Sequence, residues 1–132
     1  MICASQTAPP IRYRVVHPPD RRDASGQGVV REFGISRSSA GGSHLSMAHG
    51  VVPAGAISTR HFHPFETAVF VISGCARAYF GLNDEEWVDV GEGDFLYIPA
   101  EVPHRTANLG DTPVAYVLAR AAPEDVVIQI ES

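Results

Sequence analysis

Two cysteines in a chain of 132 residues are too few for the disulfide framework of a small secreted domain. Cys3 lies in a Pro-containing N-terminal stretch and Cys75 in a strand-like run, where it reads as a small buried thiol. Positive charge is also scarce. The formal charge is −5, and the one basic cluster, at Arg21 and Arg22, is short; neither a nucleic acid nor an anionic membrane is expected as a partner. No apolar run is long enough to span a bilayer, and "MICASQTAPPIRYR" lacks the basic-then-apolar order of a signal peptide. A reducing cytoplasm is therefore the expected location. Helical periodicity is missing through any window of about ten residues. The segment "GEGDF" precedes a strand and not a helix, so it is no phosphate loop. No G-x-S-x-G elbow occurs, and Cys75 has no evident histidine partner, which leaves nucleophilic hydrolase chemistry without support.

What remains is a chain of ordinary globular composition, 45% hydrophobic and 19% charged, of a size that supports one domain with one core. Residues 1–27, rich in Pro, Arg, Asp, Ser and Gly, read as a loop-rich arm in which "IRYRVV" is at most one edge strand. From residue 28 to 132 the pattern is of short strands separated by Gly, Pro, Asn or Asp: "GVVREFG", "SHLSMAHGVVP", "ETAVFVIS", "CARAYFG", "EWVDV", "DFLYIPA", "PVAYVLARA", "DVVIQI". Many short strands at regular spacing predict an all-β fold, a barrel or jelly roll. Runs such as "AVFVI" and "FLYI" are apolar at consecutive positions, as in strands covered on both faces. A homodimer is one way to cover the outer face.

Against this background "RHFHPFETAVFVISG", residues 60–74, stands out. Alternate residues of a strand share a face, so His61 and His63 point the same way at the mouth of an apolar strand. A third histidine, His104, follows another buried-looking strand. Burying neighbouring imidazoles is costly unless each is satisfied, and a metal ion satisfies all three at once. Imidazole is a preferred ligand for zinc, copper, nickel, manganese and ferrous iron. His44 and His17 read as exposed.

Two segments resemble the motifs of the cupin family. In the first, Gly55 is followed by five residues, His61-Phe62-His63, three residues, Thr67, six residues and Gly74. In the second, Gly93 is followed by five residues, Pro99, Ala100, Glu101, two residues, His104, three residues and Asn108. The resemblance implies a double-stranded β-helix, or jelly-roll barrel, with one divalent metal (Fe, Mn, Ni or Zn) on His61, His63 and His104. It implies a small-molecule ligand or substrate and an activity such as a dioxygenase, isomerase or lyase; the alternative is a non-catalytic binding module, a sensor or stress protein.

Two positions depart from the motifs. Thr67 stands where the family has a carboxylate ligand, with Glu66 one residue earlier; a one-residue offset flips a strand side chain to the other face, which favours a site of three histidines over one completed by Glu66. Glu101 replaces a turn glycine, and a positive φ is costly for Glu, so an altered turn is expected. Carrying the parity of the histidines along the neighbouring strands places Met47, His49 and Val51, then Val69 and Val71, then Phe95 and Tyr97 on the inner face. Of these, Met47, His49, Val69 and Phe95 are the candidate substrate pocket. Arg60 and Arg105 flank the histidines and are expected to face away from them, solvated or at an interface. Tyr79, Tyr116 and Trp87 read as packing residues, and Asp94 as a turn cap.

Overall fold

The computed structural model describes residues 13–18, 21–23, 25, 28–124 and 126–130. Eleven strands occur among them: β1 (Arg22–Asp23), β2 (Val30–Ile35), β3 (Ser46–Val52), β4 (His61–Phe62), β5 (Thr67–Ser73), β6 (Cys75–Phe80), β7 (Glu86–Gly91), β8 (Phe95–Ile98), β9 (His104–Ala107), β10 (Val114–Arg120) and β11 (Ile128–Gln129). A four-residue helix, α1 (Arg37–Ala40), sits between β2 and β3, its start closed by reciprocal hydrogen bonds of Ser36 and Ser39. The strands form two sheets, ordered β1-β2-β3-β10-β5-β8 and β11-β4-β9-β6-β7, and every pairing between strands is antiparallel. The two sheets wall a common cavity, the jelly-roll barrel that the strand pattern predicts. No described helix is long and apolar enough to cross a membrane.

Alternation builds the inner wall. Along β10, Val114, Tyr116, Leu118 and Arg120 are buried while Ala115, Val117 and Ala119 are less so. Along β3, the buried set is Ser46, Ala48, Gly50 and Val52. Gly50 is required there: it pairs with Tyr116, and a Cβ on it would lie 2.3 Å from the Tyr116 ring. Val52, Val71, Val90, Val114 and Leu118 form the apolar core between the sheets.

Four expectations need correction. Met47, His49 and Val51 lie on the outer face of β3, with Met47 42% exposed and Val52, not Val51, lining the cavity. The turn at Pro53-Ala54-Gly55 and the irregular segment behind it separate β3 from the histidines, so parity does not carry across. Phe95, 80% exposed, and Tyr97 also face outward; they pair with Phe70 and Ala68 of β5, and the rings of Phe70 and Phe95 stand 4.7 Å apart. Leu96 and Ile98 take the inner positions. Cys75 is exposed and not buried, because it is Ala76 and Ala78 of β6 that turn inward. The turn at Glu101 keeps the left-handed conformation, φ 67°, held by a hydrogen bond from its N–H to the carbonyl of His63 at 2.7 Å.

Tyr13–Val16 belong to no strand, and the edge strand of the first sheet is instead Arg22–Asp23, paired with Glu32 and Phe33. Cys3, Ile11 and Arg12 lie outside the described residues.

Candidate metal centre

His61 and His104 are opposite each other across β4 and β9, and His63 follows one residue after β4. The Glu101 N–H bond to the His63 carbonyl fastens the turn before His104 to the segment carrying the other two rings. All three are buried. Ring centroids are 4.5 Å apart for His61 and His104, 5.0 Å for His61 and His63, and 5.4 Å for His63 and His104.

Each imidazole is oriented from behind by a carbonyl. Nδ1–H of His61 donates to the Thr59 carbonyl at 2.7 Å, that of His104 to Val102 at 2.9 Å, and that of His63 to Val126 at 2.6 Å. A carbonyl can only accept, so Nδ1 carries a proton in every ring and Nε2 is the nitrogen left to act as a ligand. One ligand nitrogen from each ring lies within 4.8 Å of the others, close enough for small ring movements to bring all three onto one ion at about 2.0–2.2 Å. Burial in the cavity, with the Arg120 guanidinium adding to it, lowers the pKa of His63 to about 4; burial likewise lowers that of His104 to about 4. Both rings are therefore neutral at physiological pH, the form that ligates a metal. The three histidines can hold a metal ion.

Strands from the opposite sheet complete the site. Thr67 turns inward at 4% exposed. Glu66 points outward and accepts a hydrogen bond from the Tyr97 hydroxyl at 2.5 Å. Val69 and Val71 lie on the cavity wall. Two residues that alternation along the chain could have flagged are also there: Arg31, among the strand-like residues of "VVREFG", and Arg120, which continues the inward series of β10. Tyr116 does more than pack, since it lines the cavity and its hydroxyl accepts from Arg31 Nε at 3.2 Å. Arg120 Nη2 stands 3.5 Å from His63 Nε2.

The residues flanking the histidines are tied together on the outer side. Asp84 accepts from Arg105 Nε at 3.1 Å, pairs again with Arg105 Nη2, and meets Arg60 Nη2 at 3.2 Å. One carboxylate thus braces the residue before His61 to the residue after His104, a role for Arg60 and Arg105 beyond solvation. The Arg105 hydrogen bond holds the Asp84 pKa below the ordinary carboxylate value. Asn108, which ends the second motif, is wholly structural: Nδ2 donates to the carbonyls of Val52 at 3.0 Å and Thr112 at 2.7 Å, and Oδ1 accepts from Gly110 N–H at 3.0 Å. Asp94 caps its turn by accepting from Gly91 N–H at 2.8 Å.

Residues 48–119 match the Cupin domain family, more than half of the chain. This chain belongs to the cupin family. Among curated proteins the cupin is similar to the uncharacterized protein MJ1618 of Methanocaldococcus jannaschii, 33% identical over 70 residues, a match covering 52% of this chain and 54% of that protein. The matched stretch is thus about half of the relative's length. Among solved structures, a tryptophan-to-phenylalanine variant of Bacillus subtilis oxalate decarboxylase superposes with a TM-score of 0.78 at 20% identity, covering 93% of this chain and 34% of the other. A two-residue deletion mutant of the same enzyme gives a TM-score of 0.79 at 20% identity over 93% and 33%. A structure of that decarboxylase concerned with its Mn(II) centres gives 0.78 at 19% over 93% and 34%. At these identities the likeness establishes the cupin barrel and nothing finer.

The cavity measures about 90 Å³, roughly three times a water's ~30 Å³ share of liquid volume, room for a small molecule only. One wall is apolar, formed by Val69, Val71, Val114 and Leu118; the other carries the three imidazoles.

Proposed function

We propose that this cupin holds one divalent metal at His61, His63 and His104 and is an enzyme acting on a small, oxygen-bearing molecule in the cavity between its sheets. Ferrous iron with a dioxygenase reaction is the leading assignment; manganese, nickel or zinc with an isomerase or lyase reaction follows. The observation that carries the reading is the set of three carbonyl-anchored rings, each held through Nδ1 so that Nε2 is the nitrogen left to ligate beside a cavity. The Mn(II) centres named for a structural neighbour add support for a divalent ion. A bound ion supplies Lewis-acid or redox chemistry. The chain's own part is to orient the rings, keep His63 and His104 unprotonated, and limit water through the valine-rich wall.

A second reading, a non-catalytic binding module, draws on Thr67 in the place of a carboxylate ligand. Metal content separates these from a purely structural barrel: protein purified without chelator is expected to hold close to one metal per chain, lost in His61→Ala and His104→Ala. Metal that is substoichiometric and unchanged in both variants counts against both readings. Oxygen uptake after ferrous reconstitution, against a panel of diols, thiols and keto acids, then separates enzyme from binder.

The reading extends to a homodimer in the cytoplasm. The outer face of the six-stranded sheet presents Met47, Ile72, Phe95 and Tyr97 to solvent, apolar area that a second copy would cover. Sedimentation showing only monomer at micromolar concentration removes the dimer.

A further inference from the structure

We infer that residues 126–130 form a strap that decides whether the His63 ring presents its ligating nitrogen, so that docking of this strap and loading of the metal site are coupled. The inference rests on the metal reading above and adds to it a device that controls the same site.

The three rings are not oriented alike. The carbonyls of Thr59 and Val102 stand two residues before His61 and His104 in the chain, so those rings are set by their own stretch of backbone. His63 instead donates to Val126, 63 residues away. Its backbone is fixed by the Glu101 N–H, and its ring is stacked on Phe65 with centroids 5.1 Å apart. Stacking sets the plane of a ring and not its sense: a half-turn about Cβ–Cγ keeps the plane while it exchanges Nδ1 with Cδ2 and Nε2 with Cε1. The Val126 carbonyl breaks that tie, because one sense gives it an N–H and the other a C–H. The Arg120 contact to Nε2, at 3.5 Å, is long for a hydrogen bond and gives way when a metal takes that nitrogen; the Val126 bond acts in both states.

The strap is held chiefly by the segment it orients. β11 lies at the edge of its sheet and pairs with β4, Ile128 opposite Phe62 and Gln129 opposite His61. The Ile130 N–H donates to the Arg60 carbonyl at 3.1 Å, and the Thr59 hydroxyl donates to Gln129 Oε1 at 2.9 Å. Both residues of β11 are exposed, and Val126 is 44% exposed. A two-residue edge strand with so little apolar burial belongs to the low-stability end of a fold, where local opening is frequent. Opening leaves two prearranged ligands, His61 and His104, and a third ring of either sense. Metal on Nε2 draws electron density from the imidazole and makes Nδ1–H a stronger donor to Val126. Metal therefore favours the docked strap, and by reciprocity the docked strap tightens metal by the same factor.

The test has two arms on the whole chain. In the first, Co²⁺ is titrated by calorimetry and by its visible absorption into the wild type and into the Gln129→Ala/Ile130→Pro double variant, which removes the acceptor of the Thr59 hydroxyl and the donor to Arg60. Affinity is expected to fall about 10–100-fold, as when the partner that orients a ligating histidine is lost, with a changed Co²⁺ spectrum and the metal-free melting temperature little moved. Gln129→Glu, which keeps an acceptor, is expected to bind as the wild type does. In the second arm, saturating Zn²⁺ is expected to slow hydrogen exchange at the Ile130 amide of the wild type by a comparable factor. Unchanged Co²⁺ affinity and spectrum in the double variant overturn the inference and leave the metal site standing. So does an Ile130 amide that exchanges equally fast with and without Zn²⁺, and this arm decides by itself if the double variant does not fold. Absence of Co²⁺ binding in the wild type removes the metal reading, and this one with it.

Discussion

Lowering the pH should destabilise the metal-free protein well before its carboxylates titrate. His63 and His104 are held at about 4 in the folded chain against an ordinary value of 6.5, so between those values the unfolded chain binds more protons than the folded one. Stability therefore rises with pH through this window and is lost as pH falls from about 6.5 toward 4. A displacement of that size corresponds to about 3 kcal/mol for each ring. Partial opening of the cavity to water lowers the sum, and about 3–5 kcal/mol for the pair is the expected loss, a large share of the 5–15 kcal/mol typical of a domain. Urea unfolding of chelator-treated protein across this range is the assay. Replacing both rings by Gln should remove most of the slope, and a saturating divalent metal should move the loss to lower pH, since the ion competes with protons for Nε2. A stability that stays level from about pH 7 down to pH 5 would refute the reasoning, because buried neutral rings cannot avoid this linkage.

Further outcomes follow from the same contacts. Asn108→Ala strands two carbonyls and one N–H that Asn108 now satisfies, and about 3 kcal/mol of stability should go with it, read by urea unfolding; a loss below about 1 kcal/mol contradicts the three-bond role. Asp84→Ala leaves the guanidiniums of Arg60 and Arg105 facing each other where one carboxylate joined them, with about 2 kcal/mol lost and part of it recovered in high salt; equal melting at low and high salt argues against the brace. Because the Asp84 pKa lies below the ordinary carboxylate value, this brace is present above that value and disappears only as pH falls through the lowered pKa, separately from the histidine window. Glu101→Gly relieves a left-handed residue and should raise stability by about 0.5–1 kcal/mol; no gain means the backbone there is unstrained.

Side-chain period and motif spacing carry far for local features. His-x-His on an extended segment sets two rings on one face whatever surrounds it, and Thr67, one residue after Glu66, turns the hydroxyl inward and the carboxylate out. Both statements concern neighbours in the chain, where geometry is short-range. Met47, His49 and Phe95 are different. Their strands are apolar at consecutive positions or cut off by a Pro-Gly turn, so alternation fixes which residues share a face without saying which face is inner. Cys75 failed for the same reason.

The all-β barrel, most of its longer strands and the candidacy of His61, His63 and His104 were legible in the order of residues alone, because periodicity, turn residues and spacing act over a few positions; the short strands Arg22–Asp23, His61–Phe62 and His104–Ala107 were not. Tertiary structure decided what lies opposite them: that Val126, near the other end of the chain, orients His63, that one aspartate in a turn couples two arginines, and that Arg120 is drawn to the edge of the imidazole cluster. These contacts join residues distant in sequence, and only the register of the paired strands, set by packing one sheet against the other, brings them together.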